Sequence, residues 1–352
     1  GGASPSPEDP GPGGILVTVS GEDLSLAGYD FINGQSKSTD PAFVDGWAIT
    51  FTHILLTVAD PRLNADPDQD PGDPTKLGAE VARASGAWAV DVARPGKALD
   101  KGSGQPGAHP ITSWKQTAGG AAFDPTARYA FSYDLEKATA SAARVGFDAE
   151  AEALYQQGIS KGWVIIFAGK ATYKGPKPDA GSAFEKMPTE VSFTLGLDRS
   201  AGYVNCRNPD LPASPDGEFP RGVQVLANQT QVAQITFHTD HLFWDALNVE
   251  GTPLHFDPIA ASASTYGSPE KPGTVTLDDL AAVDFTAFTT RTGEPLPARS
   301  LVEGYTAPAG QLGYKTNGAG PFLKNSFAQY LSYSAIGGGH LNADGECEVI
   351  AK

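Results

Sequence analysis

The chain has 352 residues, 40% hydrophobic and 19% charged, with a formal net charge of −16. That is ample apolar material for a core, so disorder of the whole chain is excluded. The acidic balance repels phosphate backbones, so nucleic acid is not expected as a partner.

The chain opens GGASPSPEDPGPGG, a composition that buries nothing. Residues 1–14 therefore read as a flexible tether, and residues 15–352 as a β-rich globular unit. Ile15 to Ser20 alternates apolar and polar residues and predicts the first strand. Trp47 to Val58 (WAITFTHILLTV) predicts a central strand buried on both faces, with His53 inside it. Trp88–Val92, Tyr129–Leu135, Trp163–Tyr173 and Val191–Leu197 follow as strands, then Gly222–Leu226 and Val232–His238 as a pair. Asp148 is expected to cap a helix to about Gln157, ended by Gly158. Thr239 or Asp240 caps a short helix to Leu247, and Thr276 caps a turn through Leu280. Pro321 to Ile336 has helical spacing and stops at Gly337, Gly338 and Gly339. Residues 60–80, 93–120, 174–188 and 207–221 read as loops, with 174–221 the best site for an internal boundary. The expected fold is mainly β: β-sandwich-like antiparallel sheets with a few short α-helices. No apolar run reaches the ~18 residues of a membrane-crossing helix.

Cys206 and Cys347 fit no zinc spacing. A small, even number of cysteines in an exported protein pairs, so a disulfide is expected, with two buried free thiols as the alternative.

The six histidines are His53, His109, His238, His241, His255 and His340. A strand ending at His238 and a turn at Thr239-Asp240 let His238 and His241 converge, with Asp240 or Asp245 to ligate or orient them. Imidazoles suit zinc, copper, iron or nickel, and a carboxylate on the second ring nitrogen fixes the tautomer. His255 and Asp257 follow on a short extended segment. His53, costly to bury unpaired, and His340, between three glycines and Cys347, are further candidate ligands. A purely structural corner, with Asp240 as helix cap and His241 at the surface, competes with the metal reading. A His/Asp pair for acid–base chemistry is the third possibility.

Asp66, Asp68 and Asp70 alternate, with Asp73 after Gly72, which makes this loop a calcium candidate. An EF-hand is excluded, because Pro71 and Leu77 stand where that pattern needs Gly and Glu. No G-x-S-x-G, H-E-x-x-H, Walker or dinucleotide-binding motif occurs.

Four segments carry a resemblance: FTHILLTVADPRL with its acidic loop (51–73), YVNCRNPD (203–210), QITFHTDHLFWD (234–245) and HLNADGEC (340–347). The layout resembles uncharacterised exported lipoproteins of large-genome Gram-negative bacteria, in which a lipidated Cys and a Gly/Ser/Pro/acidic spacer precede the folded domain. That resemblance implies the periplasm or cell surface and a lipid anchor in the outer membrane. The acidic-loop region and the nearness of His238, His241 and Trp244 are also similar to periplasmic copper-binding proteins of the methanobactin-associated type. Those are β-rich and use histidines, sometimes beside an oxidised tryptophan; no diagnostic spacing matches here. The expectation is an exported transition-metal-binding protein, for copper or zinc, using a His/Asp cluster. Its ligands would be His238 and His241, with His53, His340 and Asp240 as further candidates. A non-enzymatic cell-surface binding or structural module is one alternative, and a hydrolase with a His/Asp pair is another.

Overall fold

The computed structural model describes residues 8–32, 35–36, 43–97, 107–244, 253–263, 272–281, 283, 289, 291, 311–312, 322–324 and 326–352. Trp47–Asn64 is the spine of the larger sheet. It pairs antiparallel with Ile165–Tyr173 and Arg128–Leu135, and, across from Arg128–Leu135, with Ala87–Asp91 and Glu80–Arg83. Up to Thr52 its residues alternate between buried and more exposed; from His53 to Ala59 both faces are buried. The second face is covered there by the helix Ala149–Lys161, whose Ala151 and Tyr155 pack with Leu55, Ala89 and Ile166. Asp148 caps that helix as expected, its side chain accepting the Ala151 amide. Gly158 does not end it. The helix passes through Gly158 and stops at Gly162, which is left-handed at φ 72°. A Cβ on Gly158 would lie 2.7 Å from Ile166, so that glycine serves close packing rather than termination.

The smaller sheet has the order Gly345–Glu346, Gly339–Leu341, Gln231–Phe237, Ile15–Ser20, His109–Trp114. The last strand lies in a stretch expected to be loop. It carries Pro110 opposite Thr18, where the register shifts, and it is an edge strand, where proline is tolerated. Phe167 of the larger sheet and Phe237 of the smaller meet at 5.9 Å within one continuous buried core. The fold is thus mainly β and sandwich-like, but its sheets are mixed. Parallel pairings join Ile15–Ser20 to Gln231–Phe237, Glu190–Leu197 to Gly273–Thr276, and Ala87–Asp91 to Ala143–Val145.

Within 174–221, Ala201–Val204 pairs with both Arg128–Leu135 and Glu348–Ala351. The Cys206–Cys347 disulfide closes that junction. The expected capping box at Thr276 is present, with Asp279 as its partner. Phe327–Ile336 is helical and stops at Gly337. Residues 1–7 of the expected tether lie outside the described residues; Asp9 accepts the Thr230 hydroxyl at 2.9 Å, and the Gly13 amide donates to Gln229.

Candidate metal centre

Strand order and register assemble the site. Ile15–Ser20 runs parallel to Gln231–Phe237 with Ser20 opposite Thr236, so Glu22 and His238 both leave two residues past that rung, at the same end. Gly339–Leu341 pairs on the other side, with His340 opposite Thr236. The His238 amide donates to Gly338 at 2.8 Å, after which the chain enters the 3-10 turn Thr239–Phe243. Neither Thr239 nor Asp240 caps that turn. Thr239 shares a 2.8 Å hydrogen bond with Tyr29, and Asp240 accepts the Trp244 indole N–H at 3.2 Å. The close approach of Gly338–Gly339 needs glycine: a Cβ on Gly339 would lie 2.3 Å from the Tyr203 ring.

The outcome is a group of three imidazoles. One nitrogen each of His238, His241 and His340 can be chosen so that all lie within 4.8 Å of one another. His238 stacks on His340 at 4.2 Å, and His241 meets His340 edge-on at 5.4 Å. His340 donates from Nδ1 to the Gly338 carbonyl at 2.9 Å, which sets its tautomer and leaves Nε2 as a lone-pair donor. Trp244 stacks on His241 at 3.7 Å, while the Ser334 and Tyr330 hydroxyls donate to the His241 and Trp244 carbonyls. The corner is therefore braced by the helix Phe327–Ile336.

Two of the three rings are held neutral. Burial, then His340 and His238, push His241 well below its ordinary value. Burial, then His238, push His340 down to about 3. His238 differs. Burial alone lowers it, but Glu22, with Asp240 and Asp344, outweighs burial and holds it above its ordinary value. Glu22 Oε1 stands 3.6 Å from His238 Nε2, an electrostatic contact longer than a formed hydrogen bond. That oxygen is buried without a hydrogen-bond partner among the described residues, and Glu22 sits at φ 59°, a conformation that L residues with side chains rarely adopt. Strain of this kind clusters at functional sites.

Glu22 was missed from sequence because its place depends on a parallel pairing across the whole chain. The only local signal is an acidic residue directly after a strand and Gly21. Asp240, expected as a ligand, is engaged with Trp244 instead, and burial raises its carboxyl. Asp245 lies outside the described residues.

His53 is not in the group. It is 4% exposed and bonds Asp91 through Nδ1 at 2.7 Å. Asp257 accepts the Trp47 indole and Arg291, and Asp45 accepts the amides of Phe256 and Asp257. In the acidic loop, Asp70 pairs with Lys76, Asp68 with Arg128, and Asp73 binds Thr75. The Asn205 amide clamps the loop through the Pro67 and Pro74 carbonyls. Asp66 adopts φ 53°.

Buried neutral histidines tie stability to pH. In the unfolded chain His340 protonates near ~6.5, whereas folded it resists protonation down to about 3. Its contribution is present above the unfolded value and is lost as pH falls through that window, on the order of a few kcal/mol. His238 has the opposite sign, its contribution being lost as pH rises through its elevated folded value. Metal-free protein with His340→Gln should therefore lose stability less steeply than wild type between about pH 6.5 and 5. Urea midpoints over that range check this, and parallel slopes for the two proteins would contradict it.

Comparison of the chain with protein-family models, with curated proteins and with solved structures gives no match. The site therefore rests on its own geometry.

Proposed function

We propose that this protein is an exported carrier or scavenger of one transition-metal ion, copper or zinc, held by His238, His241 and His340. The observation that carries the reading is the convergence of the three imidazole nitrogens within 4.8 Å. A set of neutral nitrogen donors is what copper and zinc accept and what magnesium and calcium do not favour. Glu22, beside His238, supplies a carboxylate that orients the ring and balances the charge of an incoming cation. The Cys206–Cys347 disulfide supports an oxidising compartment, the periplasm or cell surface. Histidine must be deprotonated to ligate, so His238, the ring that keeps its proton longest, is where acid competes with the ion.

Trp244 provides the reporter. A copper(II) ion on His241 sits against the indole stacked on that ring, so it quenches the Trp244 emission. Quenching should saturate at one equivalent of ion, and Trp244→Phe should abolish that component while leaving the ion bound. Stoichiometric binding with no change in Trp244 emission would remove the ion from this corner.

A further inference from the structure

We propose a second cation site, for a divalent ion of the zinc class, formed by His53, Asp148 and Glu150 where the helix Ala149–Lys161 begins over the larger sheet. It is independent of the three-histidine centre. The argument starts from hydrogen-bond accounting. Asp91 accepts the amides of Ile54 and Ala93 on one oxygen, each at 3.1 Å, and the His53 Nδ1–H on the other at 2.7 Å. With the ring proton on Nδ1, Nε2 presents a lone pair. That nitrogen is buried and has no hydrogen-bond partner among the described residues. It faces Glu150 Oε2 at 3.5 Å and Asp148 Oδ1 at 4.0 Å, both acceptors too. Asp148 Oδ1 also accepts the Ala151 amide at 2.8 Å and keeps a further lone pair, so three acceptors face one another, and the His53 nitrogen has no donor among the described residues.

The spacing suits a metal ion. Donors bound to tetrahedral zinc at about 2.0–2.1 Å stand roughly 3.3–3.5 Å from one another. The His53–Glu150 pair is already at that separation, and the Glu150 side chain, 84% exposed, is free to close further. Asp91 stands behind the imidazole as the carboxylate that commonly fixes a metal-binding histidine. Charge points the same way. Asp91, Asp148 and Glu150 bring three carboxylates, and Arg94, on the far oxygen of Asp148, offsets one of them. The helix N-terminus opposes a cation but favours ionised carboxylates, and two of these stand between it and the ion.

The test uses the full chain with His238→Ala/His340→Ala, which removes the three-histidine centre. Cobalt(II) uptake is followed by visible absorption, and zinc affinity by competition with a chromophoric chelator. The proposal expects one equivalent bound, weakened at least about 10-fold by Glu150→Gln and about 10–100-fold by Asp91→Asn, the range for groups that orient a ligand. Glu150 is exposed, so its variant keeps the fold. No uptake in the double variant, or uptake that Glu150→Gln leaves unchanged, overturns the proposal and leaves a proton or a water at His53 Nε2. If instead the three-histidine reading is the one that fails, wild type binds a single equivalent that His238→Ala/His340→Ala does not touch and Glu150→Gln weakens.

Discussion

Replacing His238 and His340 together by alanine abolishes stoichiometric copper or zinc binding at the corner between Phe237 and Trp244. Only His241 remains of the three converging nitrogens, and one imidazole cannot hold an ion against water and buffer. The affinity loss should exceed the about 10–100-fold that follows from disturbing an orienting group alone. Chelator-competition titration measures it, with Glu150→Gln present in both proteins so that only the three-histidine corner is compared, and with circular dichroism to check that the sheets persist. Unchanged affinity in the folded variant would refute the ligand assignment.

Opening the disulfide has the next largest effect. Cys206 and Cys347 are 141 residues apart. In the chain-entropy account, freeing a loop of that length destabilises by up to ~5 kcal/mol, and native bridges typically contribute about 2–5 kcal/mol. The bridge also positions the site. It holds the segment after His340 against the larger sheet, where Arg207 donates its amide to Glu346 at 2.7 Å and Arg221 pairs with Glu348 at 2.8 Å. Cys206→Ala/Cys347→Ala should therefore lower the urea midpoint and weaken metal binding together. A midpoint within experimental error of wild type would show that sheet pairing alone fixes the C-terminal segment.

Much of the fold was legible because its strands alternate or run apolar over short lengths. Trp47–Val58, Tyr129–Leu135 and Val191–Leu197 fall within observed strands. His109–Trp114 was not legible, since Pro110 and two hydroxyl residues mask an edge strand that needs only one buried face. Gly158 misled because a glycine that ends a helix and one that admits a neighbouring side chain look alike in one dimension. The mixed pairing was also hidden, because alternation carries no strand direction.

The site divides along the same line. His238 and His241 were readable as a strand end followed by a turn, and His340 from its position between glycines and a paired cysteine. The competing partner of Asp240, the indole four residues on, was not legible from sequence. His53 was correctly suspected of needing a partner; that partner, Asp91, comes from the adjacent strand. Glu22 could not be found without the parallel register of Ile15–Ser20 against Gln231–Phe237.

The most direct test of the central claim is anomalous diffraction at the metal absorption edge from crystals grown with one equivalent of copper or zinc. The account predicts a peak about 2.0–2.1 Å from one nitrogen each of His238, His241 and His340. No peak among these three rings, in crystals that hold the ion elsewhere or not at all, would contradict it.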